Sequence, residues 1–372
     1  MKKLLITSDS GLPRWDGVAR FLYEIVPRIR GYFETTVVTP GFKGGKYLFK
    51  DTVNVKIPTF RFSIADYTPP KPPFRMMSSL VKDKDIIFVQ TLGPIGALSI
   101  IKGSKIKKKI VAYVHSIEWE LVTKAVKLPN GLTKKLYSQI KIFVKKMYEK
   151  CDLLLVPTED IMKILEKENI KTRKVIIPLG VDLKRFRPSK NKRASKKAVG
   201  LEDNFIIGFA GRIAREKDLP TLFKAFENVR KKIKCKLLIV GTGIRDYDKI
   251  IKENKDIIAT GNINNVEDYL RAMDVFVLPS LTETSSSATM EAMASGLPCI
   301  TTPVGIMRKK IVNLKNGIKF TPGDSEGLAK KIIYLYKNKK LRQEIGRNAR
   351  RTMLNYSWDT TAKRIIRELN NL

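Results

Sequence analysis

One histidine, three cysteines and 36 acidic side chains are all that 372 residues provide of those types. Each shortage removes a class of function. A single imidazole, His115, cannot build a multi-histidine metal centre within one chain. Cys151, Cys235 and Cys299 are far apart and odd in number. That argues against a disulfide framework or a zinc cluster, and a reducing cytoplasm is the simple reading. No run of about 18 apolar residues occurs, so no transmembrane helix is expected. The basic start at Met1 leads only into Leu4, Leu5 and Ile6, too short for the apolar core of a signal peptide. It reads as a first buried strand. Acids are scarce against 72 basic residues, and the net charge is +36. Such a field favours polyanions: nucleic acid, an anionic membrane or phosphorylated ligands. The stretch 101–150 alone holds 13 basic and 3 acidic residues. No helix-turn-helix, RRM or zinc module accompanies the charge, so a nucleic-acid reading rests on charge alone.

What is present is a repeated alternation. Short apolar strands (KLLIT, TTVVT, DIIFVQ, KIVAYVH and DLLLVP) are separated by longer amphipathic segments. In Gly17–Ile29, Val18, Phe21, Leu22, Ile25 and Ile29 share one helical face. Nearly continuous apolar strands mark a parallel sheet covered on both faces. A polar, basic stretch at 187–204 reads as a linker or surface excursion. The alternation then restarts with NFIIGFAG, a helix over Leu219–Lys231, CKLLIVG, DIIATG, DVFVLP, a helix over Ala288–Ser295, and PCITT. Two such blocks imply an α/β chain of two doubly wound domains, with ligands at the carboxyl ends of strands and a cleft between the domains.

Several residues cluster at those predicted strand ends. Gly211 permits close backbone approach, and Arg212 and Lys217 follow it, two cations suited to a diphosphate. A solvated basic turn is the plainer alternative. After the apolar Val275–Leu278 comes a polar run in which Thr284, Ser285, Ser286 or Ser287 should cap a helix. The free amides of that helix start would attract phosphate. Glu283 lies before this start and Glu291 on the helix's second turn, eight residues on. Gly17 stands between a strand and a helix, a setting for close ligand approach. No GxGxxG fingerprint is present, which argues against a dinucleotide. His115 ends a strand and reads equally as structural or as facing the cleft. Asp246-Tyr-Asp248 looks like a metal-binding Asp-x-Asp but follows a glycine turn, so it reads as a surface helix start.

Together these pieces resemble the large retaining glycosyltransferase family 4, of GT-B fold. The resemblance runs over nearly the whole chain: Gly17-Val-Ala-Arg20, Pro178-Leu-Gly-Val-Asp182 with Phe186, Gly211-Arg212 with Glu216-Lys217, and Val240-Gly-Thr-Gly243. It continues through Glu283-x7-Glu291 with Ala292–Pro298, and Tyr356-Ser-Trp358 before the final helix. It implies two facing Rossmann-like domains: 1–177, joined by the C-terminal helix 357–372, and 178–356. It implies transfer of a hexosyl group, with retention, from a UDP- or GDP-sugar to a hydroxyl acceptor, without a metal cofactor. Arg212 and Lys217 would bind the pyrophosphate, Glu283 the sugar hydroxyls and Glu291 the ribose. Thr284–Ser287 and Gly17 would line the donor, and His115 would meet the sugar or the leaving-group charge. His115 and Glu283 are thus the candidate catalytic residues. Two departures stand out. Asp16 replaces the first of two usual loop glycines, and Ile306-Met-Arg-Lys-Lys310 replaces a Gly-Gly…Glu turn.

The expected acceptor is a glycan, a lipid or a lipid-linked glycan, with no nucleic-acid partner. In the helix near 132–150, Leu132, Leu136, Ile140, Phe143 and Met147 share one side, and Lys134, Lys135, Lys141, Lys145 and Lys146 spread over the rest. This suits peripheral docking on the anionic inner face of the cell membrane. It suits an ordinary helix packed on the sheet as well. The alternatives in function are a GT-B-fold epimerase or phosphorylase, and a basic nucleic-acid-binding protein.

Overall fold

A computed structural model of the chain describes residues 1–14, 16–42, 47–63, 67–120, 130–202, 204–283 and 285–372. The chain divides into two compact units: Met1–Pro178 with Trp358–Leu372, and Leu179–Ser357.

The first unit runs β1 (Lys3–Thr7), α1 (Gly17–Ile29), β2 (Glu34–Gly41), β3 (Val53–Pro58), α2 (Phe74–Lys82), β4 (Ile86–Val89), α3 (Pro94–Lys105), β5 (Lys109–Tyr113), α4 (Asn130–Tyr148), β6 (Leu153–Val156), α5 (Glu159–Lys167) and β7 (Lys174–Ile176). The strands lie in the order β3-β2-β1-β4-β5-β6-β7, every neighbour parallel. β4 and β6 are buried at every residue, as continuous apolar runs require when helices cover both faces. β3 and β7 escape a reading based on apolar runs. VNVKIP is mostly half-buried and KVI is only three residues long, as edge strands allow.

The order reverses between β1 and β4, a topological switch point that opens a crevice beyond their carboxyl ends. Asp9, just past β1, ties this edge together. Its carboxylate accepts from the amides of Ile95 (2.7 Å) and Gly96 (3.2 Å) at the start of α3, and from the Thr91 hydroxyl (2.8 Å). It thereby caps α3 from another strand. A Cβ at Gly93 would lie 2.5 Å from the Asp9 Cγ, so glycine there is a packing requirement. Asp16 serves α1 in the same way, accepting from Val18 (3.0 Å) and Ala19 (2.9 Å). An acid in this loop, odd beside a phosphate, is thus explained as the N-cap of α1.

Helix α4 turns the apolar stripe read from its sequence only partly inward: Ile140 and Met147 face the core, and Leu132 and Phe143 do not. Val144, Met147 and Tyr148 are buried, with Tyr137 and Ile140 packed against the same core. Leu132, Ile142 and Phe143 stay exposed. The inward face is rotated about the helix axis from the side that Leu132 and Phe143 define.

The second unit runs α6 (Lys192–Lys197), β8 (Phe205–Ala210), a 3-10 turn (Arg215–Lys217), α7 (Leu219–Arg230), β9 (Cys235–Val240), α8 (Asp248–Glu253), β10 (Ile257–Ala259), α9 (Val266–Ala272), β11 (Val275–Leu278), α10 (Ser287–Ala294), β12 (Cys299–Thr301), α11 (Met307–Lys310), β13 (Ile318–Lys319), α12 (Ser325–Lys337) and α13 (Lys339–Met353). Its sheet has the order β10-β9-β8-β11-β12-β13, again all parallel, with the switch point between β8 and β11. The final helix α14 (Trp358–Asn370) returns to the first unit and packs on α1.

The stretch expected to be a linker at 187–204 is not one. It carries α6, which packs on α9. Lys192 donates to the carbonyls of Arg271 (2.9 Å) and Met273 (2.6 Å), and Lys196 pairs with Asp274 at 2.6 Å. Its lysines satisfy orphan carbonyls at a helix end, so a polar composition there means docking through charge.

Asp9 generates a prediction. Asp9→Ala strands two helix amides in a buried site and should cost about 2–4 kcal/mol by urea denaturation. Burial raises the Asp9 pKa to about 6, against the pull of its donors. Between roughly pH 4 and 6 the native state then keeps a proton that the unfolded chain has released. Asp9 therefore withdraws stability as pH rises through that window, and Asp9→Asn should flatten the slope. An unchanged slope would refute the assignment.

Candidate functional site

Two loops meet at the carboxyl edge of β8 and β11. The first is Gly211–Asp218. Gly211 has φ +141° and Gly241 φ +132°, both in the region that favours glycine. A Cβ on Gly241 would lie 2.1 Å from the Gly211 carbonyl oxygen, and one on Gly243 would lie 1.8 Å from that of Ile213. These glycines bring the β8 and β9 loops together, sealed by Gly211 N–H to Val240 O (2.9 Å) and Ile213 N–H to Thr242 O (2.8 Å). The close approach read into Gly211 is therefore first an approach of chain to chain. Arg212, with 67% of its side chain exposed, pairs with Glu216 at 2.8 Å. Lys217 turns inward instead.

Lys217 Nζ lies 2.5 Å from Glu283 Oε1, with side-chain exposures of 18% and 11%. The pair is mostly withdrawn from water, where charge attraction is stronger and loss of either partner costly. The Ser280 hydroxyl donates to the same Glu283 oxygen (2.9 Å), and Thr302 Oγ1 donates to the Ser280 carbonyl (2.5 Å). The Leu281 amide donates to Glu216 O (2.8 Å), stitching the two loops directly. Ser280, fully buried, is a site residue that sequence reasoning missed. Its only sequence signal is its place immediately after the Pro279 that ends the β11 run.

Thr284 falls outside the described residues. Ser286 is the N-cap of α10 but does not cap it. Its backbone is left-handed (φ 50°, ψ 55°), and its side chain makes no capping bond. Its Oγ instead pairs with Thr289 Oγ1 at 2.9 Å. Ser286 thus departs from the expected side-chain cap, because its hydroxyl turns to Thr289; Ser285 and Ser286 are buried, and Ser287 is exposed. Among the described residues no side chain caps the start of α10, whose amides suit an anionic acceptor. A non-glycine residue held left-handed stores strain of about 1–3 kcal/mol, a recurring feature of ligand clamps. Glu291 is half-buried on the second turn of α10. Asp246 pairs with Arg215 at 3.3 Å.

In the first unit, His115 follows β5 at the carboxyl edge. Its Nε2 is 3.1 Å from Gln90 Oε1, a partner that sequence reasoning missed. Gln90 Nε2 donates to Phe88 O (3.4 Å), which leaves its carbonyl oxygen toward the ring. His115 Nε2 is then the protonated nitrogen and Nδ1 the acceptor. The ring stacks on Tyr113 (4.5 Å between centroids) and meets Phe21 edge-on (4.8 Å). Burial lowers its pKa to about 3, so it is a neutral hydrogen-bonding group, never a cation at ordinary pH. Three residues on, Glu118 accepts from the Tyr148 hydroxyl (2.9 Å), and burial raises its pKa to about 7. A Cβ on Gly17 would meet nothing within 4 Å, so space is open above the start of α1.

The profile of the family described as Glycosyltransferase Family 4 matches residues 15–185, and that of Glycosyl transferases group 1 matches residues 191–352. The chain is 28% identical over 244 residues to the capsular polysaccharide biosynthesis glycosyltransferase CapM of Staphylococcus aureus. That match covers 61% of this chain and 64% of the relative, just under two thirds of its length. With the alpha-monoglucosyldiacylglycerol synthase of Acholeplasma laidlawii it shares 27% identity over 293 residues, covering 75% of this chain and 73% of that one. Among solved structures, Anabaena HepE in complex with UDP aligns with a TM-score of 0.79 at 16% identity, covering 100% of both chains. That likeness shows the fold, two parallel-sheet α/β domains of the GT-B kind.

Because His115 is the only histidine, its protonation can be read without assignment. Its Hε1 proton resonance should stay fixed between about pH 5 and 8. A titration with a midpoint near 6.5 would show that the ring is not held neutral.

Proposed function

The chain belongs to glycosyltransferase family 4, and from that membership we propose that it moves a hexosyl group from a nucleoside-diphosphate sugar to a hydroxyl acceptor with retention. One observation carries the reading. The Lys217–Glu283 pair lies on the loops at the switch point of the second unit's sheet, and the start of α10, with no side-chain cap among the described residues, follows Glu283 in the chain. Positive charge and free amides there suit a diphosphate, and a carboxylate beside them suits sugar hydroxyls.

In this reading the bond from the anomeric carbon to the phosphate oxygen breaks while the acceptor oxygen attacks from the same face. The departing phosphate takes the acceptor's proton. No enzyme nucleophile is needed, and Glu283 and Glu291 are not the carboxylate pair of a glycosidase. The protein's main task is to stabilise charge on the leaving diphosphate. Lys217, held in the resting state by Glu283, shares its charge with that group, and Arg212 swings from Glu216 to join it. Two cations and a helix start can carry this load without a metal. Glu291 is the ribose ligand, and Ser285–Ser287 offer backbone groups to the sugar and phosphates. Neutral His115 offers hydrogen bonds to a sugar or acceptor hydroxyl, not counter-charge.

For the acceptor, we favour a lipid or lipid-linked glycan at an anionic membrane surface. The Acholeplasma relative is named for a glucosyldiacylglycerol product. Helix α4 supports the same reading, with Leu132, Ile142 and Phe143 exposed among lysines. Among the described residues no helix is long and apolar enough to cross a membrane. The epimerase, phosphorylase and nucleic-acid readings gain no support from the family.

A thermal-shift screen of UDP- and GDP-sugars at high salt tests the donor. A donor at about 100 times its Kd should stabilise the protein by roughly 2.7 kcal/mol. High salt removes nonspecific polyanion binding. No shift with any nucleotide sugar would sink the proposal. Lys217→Met and Glu283→Gln should each lower transfer by about 10²–10³-fold while circular dichroism stays native. Wild-type turnover in either variant would refute the site.

A further inference from the structure

Beyond β3 the first unit carries a feature that donor chemistry does not use. After Pro58 the chain runs out and returns as a short antiparallel arm. Phe60 N–H donates to Pro69 O (2.9 Å), Lys71 N–H donates to Pro58 O (2.8 Å), and Thr59 bridges Pro70. The Ser63 and Thr68 hydroxyls, 2.7 Å apart, close the arm further out. The chain then enters α2, which Met77 and Val81 anchor in the core. Among the described residues outward of that anchor, the exposed large side chains are apolar or basic. Phe60 is 37% exposed, Phe62 55%, Phe74 59% and Met76 46%. The Phe60 and Phe62 rings lie 5.3 Å apart. Arg61, Lys71 and Arg75, all exposed, are interleaved with them. Between Thr59 and Met77 the sequence has these three cations and one acid, Asp66, which lies outside the described residues.

Singly exposed apolar residues need no explanation, but four within 17 positions do. Pro69, Pro70, Pro72 and Pro73 restrict the backbone, so little ordering entropy is lost when the arm binds. Its place is also informative. In a parallel sheet, β3 ends at the same edge as β1, β4 and β5, the edge of Asp9, Gln90 and His115. Helix α2 packs on α3 and α3 on α4, so the arm shares one helical layer with the exposed lysine-rich face of α4.

We propose that residues 59–63 and 67–76 form an interfacial anchor for an anionic lipid bilayer. Phe60, Phe62, Phe74 and Met76 enter the boundary between headgroups and acyl chains, and Arg61, Lys71 and Arg75 meet lipid phosphates. This deepens the lipid-acceptor reading and rests on it for its purpose, but not for its measurement. A rigid aromatic arm at the strand-end edge would hold that edge against the membrane, where a lipid acceptor's headgroup emerges.

The test uses the full chain with vesicles of phosphatidylcholine, with and without about one third phosphatidylglycerol. The wild type should float with the anionic vesicles and far less with the neutral ones. Phe62→Asp combined with Phe74→Asp should weaken partition at least roughly tenfold. Phe62→Trp should retain binding and add a blue-shifted emission component on anionic vesicles. Equal flotation of the double aspartate variant and the wild type overturns the anchor. So does a wild-type dimer on gel filtration that the aspartates dissociate, with no vesicle binding, since the arm's occupant would then be a second copy. Nucleotide-sugar thermal shifts on the same variants separate the two claims. Absence of any shift in the wild type defeats the donor reading alone, and absence of wild-type flotation with anionic vesicles defeats the anchor alone.

Discussion

A parallel sheet delivers the carboxyl ends of all its strands to one edge, where the connecting loops must be held without ladder hydrogen bonds of their own. In each unit a carboxylate does this holding. Asp9 reaches from β1 across the switch point to cap α3, and Glu283 reaches from the β11 loop to Lys217 in the β8 loop. The two differ in what surrounds them. Asp9 is met by backbone amides and a threonine, an arrangement that only positions other groups. Glu283 is met by a cation and a serine hydroxyl, partners that a ligand can replace. The same architectural need thus yields a strut in one unit and a candidate site in the other.

Electrostatics divides the labour in a similar way. The net charge of +36 is spread over the chain, yet few of its cations sit where a diphosphate would. Lys217 does, because the left-handed Asp218 that follows it (φ 48°) ends the 3-10 turn and starts α7 at Leu219. The start of α10 adds partial positive charge at a fixed position and with no side-chain entropy to lose. His115, by contrast, is stripped of charge by its surroundings. A sequence with one histidine invites an acid–base role for it, and the packing of Phe21 and Tyr113 around the ring argues for a neutral hydrogen-bonding one.

The strands at the centres of both sheets were legible because burial on two faces demands uninterrupted apolar runs, as in IIFV and LLLV. The edge strands of the first sheet were not, since VNVKIP and KVI answer to only one neighbour. The basic stretch at 187–204 misled for a different reason. Lysine composition looks like solvent exposure, while Lys192 and Lys196 spend their charge on helix-end carbonyls and Asp274. In α4 the 3.6-residue period was readable and its phase only in part, since Ile140 and Met147 face the core while Leu132 and Phe143 do not, and which stripe faces inward depends on the sheet it meets.

By itself, then, the sequence determined the α/β class, the two-block organisation and the motif positions around Gly211, Lys217, Glu283 and Glu291. These follow from local patterning, which a chain carries in one dimension. Only the tertiary structure decided that Lys217 and Glu283 pair directly and that Ser280 supports them. It alone showed that Ser286 is held left-handed without capping its helix, that Asp16 is a cap, and that His115 packs against Phe21 and Tyr113 beside Gln90. Each of these depends on groups distant in sequence, or on the water their packing excludes. Spacing along the chain records neither.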